Sequence, residues 1–451
     1  MIIAMSMLRY ACILVLLSVS ACEPSDEEAD AGTRPPARVD AGGFDAGPLG
    51  RLHVEVTGFS GDAGTLHLSG PEGFSQSFAG SRTLTGLTPG TYTLRAEPAL
   101  ERGFFSDALY LPAVEGSPAT VVPEPVAMLK VRYTQRPGTR ALWVVDASAT
   151  SVVSLNDYEL YDDFSGVGAA SPRVKLTSPT SSAPDQLVFD ASGNLWLTRS
   201  GEEAIVRYAP GQLASSGTQN PSAVLTSVGP ARGLAFDAAG NLWVVSGDTL
   251  LRLPAASLPT SGTHSAAPDL VLSGGMLGAR APAFDAQGNL YVASETDGRL
   301  MRFEPSQLSG SGSVTVTPAA IFTSEELDHP RALAFNAAGD LYVVNAPTLT
   351  AGYISRFPRD ALQPGGTRQL TATLRLDSDE LKDPRALAFS NGGHLWVSNA
   401  GRATVGIFSA GQLSGTGTFQ VTPHALVSFS GSQGLRGMAF NVPPASLPIA
   451  R

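Results

Sequence analysis

The sequence predicts an all-β protein, a six-bladed β-propeller preceded by a small β-sandwich and a disordered tether. Three observations predict it. Short apolar runs rich in Val, Leu, Thr and aromatic residues alternate with Gly, Pro, Asn and Asp punctuation, as strands and turns do; the 451 residues include 48 Gly and 33 Pro. One unit recurs about every fifty residues through the C-terminal two-thirds of the chain. A further copy is split between the two ends of that region, which a ring explains and a linear stack does not.

Residues 1–21 read as a lipoprotein signal peptide. Arg9 precedes the apolar run Ala11–Ala21. That run is far shorter than the ~20 residues of a bilayer span, so it suits a signal core. It ends in Val19-Ser20-Ala21-Cys22, which resembles a bacterial lipobox. The resemblance implies cleavage before Cys22 and lipidation of its thiol. The other cysteine, Cys12, would leave with the signal, so the mature monomer is expected to have no disulfide. Glu23 after the cysteine is, by the same resemblance, compatible with the outer membrane. The expected location is therefore the cell envelope, lipid-anchored at the outer membrane or cell surface.

Residues 22–49 read as an acidic flexible tether. Three Asp-Ala-Gly repeats (Asp30, Asp40, Asp45) and Pro35-Pro36 leave almost no large apolar residue to bury. Half of the net charge of −10 falls here, so the folded part is only mildly acidic. That balance argues against a nucleic-acid partner.

Residues 50–134 alternate with strand periodicity in His53-Val54-Glu55-Val56, Thr65-Leu66-His67-Leu68 and Thr91-Tyr92-Thr93-Leu94. The turn Pro89-Gly90 leads into the last of these. The stretch Leu84–Leu94 resembles the carboxypeptidase-regulatory, transthyretin-like sandwich, whose members act as spacers or adhesive units. His53 and His67 lack a third ligand and read as exposed strand residues.

The propeller is expected over 139–451. Its unit reads Leu234-Ala235-Phe236-Asp237-Ala238-Ala239-Gly240-Asn241-Leu242-Trp243 in one copy, with others on Phe189, Phe284, Phe335 and Phe389. In all five an aromatic follows the Phe by seven residues: Trp196, Trp243, Tyr291, Tyr342 and Trp396. Leu142-Trp143-Val144-Val145 has no Phe strand before it, and Gly437-Met438-Ala439-Phe440-Asn441 has no Leu-Trp after it. Joined, they close a sixth blade and remove the open edge. The unit resembles the NHL-type repeat of the propeller superfamily that includes the TolB-like and gluconolactonase-like proteins. The resemblance implies a fold more than an activity. The phenylalanines and Leu-Trp/Tyr pairs read as packing between blades. The Gln212-Leu213, Gln307-Leu308 and Gln412-Leu413 segments read as loops leading to outer strands.

Two repeat positions are expected at one mouth of the axial channel. Four residues before each Phe stand Asp185, Arg232, Arg280, Arg331, Arg385 and Arg436; ten after it stand Arg199, Ser246, Ser294, Asn345, Asn399 and, through the closure, Asp146. Asp185 faces Arg199 in this register and Arg436 faces Asp146, which predicts two structural ion pairs. Two alternatives remain open. Either each Arg bonds its own turn, or Arg232, Arg280, Arg331 and Arg385, with Asn345 and Asn399, form an anion site. Glu295 is a candidate to neutralise Arg280.

No cofactor or metal is expected. Enzymes of the senescence-marker/gluconolactonase family place metal ligands where this chain has arginines, and cations repel a metal. Streptogramin lyase-like propellers use an axial His and Glu, which His329 and Glu295 would have to supply within reach of one substrate. The chain thus reads as a monomeric binding module whose partner is a protein, a glycan or a small anionic ligand. A lyase- or lactonase-type propeller enzyme and a structural envelope spacer are the alternatives.

Overall fold

The computed structural model describes residues 48–441 apart from 60–63, 103–106, 138, 140, 157–165, 170–171, 181, 364, 430 and 433. The signal peptide, Cys22 and nearly all of the tether lie outside the described residues. The protein is nearly all β. Six five-stranded sheets form the propeller, and each is a blade. The third blade shows the pattern: Ala231–Phe236, Leu242–Ser246, Thr249–Leu253 and Leu270–Ser273 form an antiparallel meander from axis to rim. The six inner strands are Leu435–Asn441, Pro184–Phe189, Ala231–Phe236, Ala279–Phe284, Pro330–Phe335 and Pro384–Phe389. Each touches the next, and the last touches the first, so the ring is closed.

The ring closes at two places. Leu435–Asn441 pairs antiparallel with Ala141–Asp146 and supplies the inner strand of the first blade. A second closure was not foreseen. Gly166–Ala169, from the first repeat, pairs parallel with Ala425–Ser428 at the rim of the last blade. The same parallel strap recurs around the ring: Gly312–Thr315 lies on Leu270–Ser273 of the preceding blade, and Gly417–Gln420 lies on Leu374–Asp377. The segments read as loops leading to outer strands lead into these straps. Short helical turns Pro210–Ala214, Pro305–Leu308 and Ala410–Leu413 bury Leu213, Leu308 and Leu413 and precede the straps. Third-strand arginines hold the turns from the neighbouring blade. Arg252 donates to the Leu308 carbonyl at 2.6 Å, Arg302 to Leu362 at 2.5 Å and Arg356 to Leu413 at 2.8 Å.

Neighbouring blades meet through aromatic pairs. Trp143–Phe189, Trp196–Phe236, Trp243–Phe284, Tyr291–Phe335, Tyr342–Phe389 and Trp396–Phe440 stand edge to face with centroids 5.1–6.3 Å apart. Such geometry adds ~0.5–1.5 kcal/mol per pair beyond area burial. The turn between Phe and Trp is fixed by its aspartate. Asp237 accepts from the Asn241 amide at 2.9 Å, the Asn241 side chain at 2.9 Å and Trp243 Nε1 at 2.9 Å. The glycine of this turn, Gly240, sits at φ 80°, which a side chain disfavours.

Residues 50–135 form two further sheets, one of five strands and one of four. Their inward residues, among them Leu52, Leu68, Leu94, Leu129 and Val131, share one core. His53 bonds Thr83 at 2.8 Å and His67 bonds Glu97 at 3.1 Å on the exposed faces. The buried Arg136 joins this module to the ring. It donates to the Ala191 carbonyl at 3.0 Å and to Asn441 Oδ1 at 3.3 Å, at the end of the closing strand. Burial pushes its pKa down, against the pull of Asp190.

The closing strand buries Leu435, Met438 and Phe440 and covers the edge of Ala141–Asp146. Ending the chain at residue 434 should therefore abolish the sharp urea transition, as followed by tryptophan fluorescence. A cooperative transition at an unchanged midpoint would refute this role.

Candidate functional site

Each inner strand carries a register shift at its start. Ala231 pairs with Ser246 and Gly233 with Val245, which leaves Arg232 as the extra residue of a bulge. Arg331 between Pro330 and Ala332, and Arg385 between Pro384 and Ala386, are extra in the same way. A bulge re-aims its side chain out of the pleat. Just below, the strands approach so closely that glycine is required. A Cβ on Gly437 would lie 2.7 Å from the Gln186 Cα and 2.9 Å from the Asp185 carbonyl.

The bulge corrects the two expected ion pairs. The residue ten after the Phe stands opposite the residue before the bulge, so Arg199 pairs with Pro184 and Asp146 with Leu435. Its side chain turns into the blade and holds the incoming loop. Ser246 donates to the Val228 carbonyl at 2.6 Å and Ser294 to Leu277 at 2.6 Å. Asn345 accepts from the Asp328 amide at 3.1 Å, Asp146 from Ser432 at 2.9 Å, and Arg199 donates to Ser178 at 2.6 Å. Asn345 and Asn399 are both 0 % exposed, so the structure removes them from any ligand surface. Arg199 pairs with Glu202 at 3.3 Å rather than with Asp185.

The arginines bridge blades instead. Arg436 meets Asp185 of the next blade at 2.9 Å. Arg280 pairs with Glu295; Arg331 binds Glu295 at 2.9 Å and also pairs with Asp383; Arg385 binds Asp383 at 2.7 Å. Arg280, Glu295, Arg331, Asp383 and Arg385 thus form an alternating chain across three blades. Glu295 was the expected neutraliser of Arg280. Asp383 went unnoticed because it lies outside both repeat positions. Arg232 is exposed and makes no ion pair among the described residues. Within this set, five arginines face three carboxylate partners.

Burial pushes the Glu295 carboxyl up, but Arg280 and Arg331 outweigh burial and hold it below its usual value of 4.5. So depressed, Glu295 is a weak base. His329 Nδ1 donates to Asp328 Oδ1 at 2.6 Å and is half exposed beside the mouth. His394 and His424 lie 6.5 Å apart in a separate place, and burial followed by its neighbour His424 lowers the His394 pKa. Among the described residues no three His, Cys, Asp or Glu side chains gather as a metal site requires.

Toward the phenylalanine end of the inner strands lies a cavity of about 210 Å³ lined by all six of them. Every lining residue is apolar. Each inner strand ends its sheet, so the polar groups along this stretch are unpaired backbone edges.

No known family and no curated protein matches the chain. Solved structures do. A streptogramin B lyase is 12 % identical with a TM-score of 0.41, over 60 % of this chain and 77 % of that one. A chain of a nidogen/laminin complex is 15 % identical with a TM-score of 0.45, over 66 % and 97 %. A calcium-binding protein, regucalcin, from Agrobacterium tumefaciens is 16 % identical with a TM-score of 0.37, over 58 % and 79 %. At these values none of the likenesses bears on activity.

Two expectations follow. Arg331→Ala takes one cation from both Glu295 and Asp383 and should cost about 2–3 kcal/mol by urea denaturation, whereas Arg232→Ala should leave the midpoint unchanged. The stabilisation from Glu295 is present in full above its usual value of 4.5 and is lost as the pH falls through its depressed folded value. The gap in stability between wild type and Glu295→Gln should therefore be constant at neutral pH and shrink on acidification below 4.5. A gap that widens there would reverse the assignment.

Proposed function

We propose that this chain is a lipid-tethered envelope protein whose propeller binds an anionic ligand at the arginine-bearing mouth. Arg232 carries the proposal. It stands exposed at the level where its four counterparts are tied to carboxylates. Its place lies between the Arg436–Asp185 pair and the Arg280–Arg385 chain, where a gap in the alternation leaves cationic charge facing solvent. A guanidinium in that state recognises carboxylate or phosphate in bidentate fashion. This narrows the expected site from four arginines to one, with Arg280 as its neighbour. Cys22 supplies the anchor, and the two-sheet module of residues 50–135 holds the ring at a distance from the membrane.

The competing reading is a propeller lyase or lactonase. It is favoured by the Asp328–His329 contact of 2.6 Å, in which a carboxylate orients an exposed imidazole. Glu295 does not complete that pair, because two guanidiniums hold it ionised. Citrate and trigalacturonate, titrated calorimetrically at low ionic strength, separate the readings. Both should bind wild type, and Arg232→Ala should weaken them about tenfold while His329→Ala leaves them unchanged. Equal binding by wild type and Arg232→Ala would sink the anion site. Failure of both acids to bind would favour a spacer.

A further inference from the structure

We infer that the ligand is an amphiphile, a medium-chain carboxylate whose head group meets Arg232 and whose apolar chain occupies the axial cavity. The inference rests on the anionic reading of the mouth and adds what lies beneath it. Along the third blade, Arg232 is followed two residues later by Leu234, where the cavity wall begins. That separation is about 7 Å of strand, the length of a few methylenes. At one level of the wall stand Val188, Ala235, Ala283, Ala334, Ala388 and Ala439. Five alanines keep open what larger side chains at these positions would fill. The six phenylalanines ring its far end.

Size and chemistry limit the occupant. At about 30 Å³ per water, 210 Å³ equals roughly seven waters. The lining side chains are all apolar, so a methylene chain buries apolar surface where it lies against them. The same volume accepts a chain of about seven methylene-sized groups. Head and tail are thus matched by one cation at the rim and one slender apolar space on the axis.

The test is a calorimetric series of straight-chain carboxylates from acetate to tetradecanoate, with citrate as the tail-less control. Affinity should rise about fourfold per methylene and level off near dodecanoate. Ala334→Leu, which fills the cavity, should flatten the rise and leave citrate binding intact; the smaller Ala334→Val serves if the leucine variant melts early. Arg232→Ala should weaken every acid by one common factor without changing the slope. A flat series on wild type that still binds citrate overturns the amphiphile and spares the anion site. An unchanged slope in the Ala334→Leu variant likewise overturns the cavity's role. Straight-chain alcohols that bind with the same slope while citrate fails would instead overturn the anionic head.

Discussion

Everything in the ring depends on the edge-to-face contact between a Trp or Tyr on one blade and the Phe of the next. Repeated six times at 5.1–6.3 Å, it sets how near one inner strand comes to another. That distance in turn decides which side chains fit between strands, and it forces glycine at 233 and 437. It also fixes the radius at which the arginines stand. The Asp237 turn serves this contact directly, since one carboxylate oxygen anchors the indole that makes it.

The charges at the mouth follow from the bulge at the start of each inner strand. Without the extra residue, an Arg at that position would share a face with its partner ten residues after the Phe. With it, the arginine leaves the pleat and finds carboxylates on neighbouring blades. Glu295 and Asp383 each accept from two guanidiniums, which ties blades four, five and six into one electrostatic unit. Buried pairs of this kind contribute less to net stability than to fixing geometry. Their effect is to leave the arginines on one side of the mouth paired and held and the side at Arg232 open.

The six blades, the all-β class and the inner closure were legible because each rests on side-chain identity at fixed spacing. Phe, Gly, Asn and Trp recur where packing and turn geometry admit few alternatives. What escaped was set by backbone register. A single bulge residue is invisible to a count of positions, so Arg436–Asp146 and Asp185–Arg199 looked like partners when the true contact is Arg436–Asp185. For the same reason Asn345 and Asn399 looked like ligand groups; Asn345 proved to be a buried loop staple, and Asn399 is buried against Thr404 of the adjacent strand. The straps were missed because Gly312–Thr315 and Gly417–Gln420 are exposed along their length and carry no apolar alternation. Asp383 was missed because it belongs to one blade and not to the repeat.

The two closures have a mechanical consequence. The inner joint lies in the first blade and the rim joint in the last, so the joints are staggered like overlapped planks rather than stacked in one crack. Peeling the C-terminal strand from the axis leaves the first and last blades still laced at the rim, and loosening the rim strap leaves the axis shut. A pull transmitted through the N-terminal module reaches the ring at Arg136, which grips both the second blade's turn and the end of the closing strand. A load on that module is therefore delivered across the inner joint, where the Arg136 contacts share it between two blades.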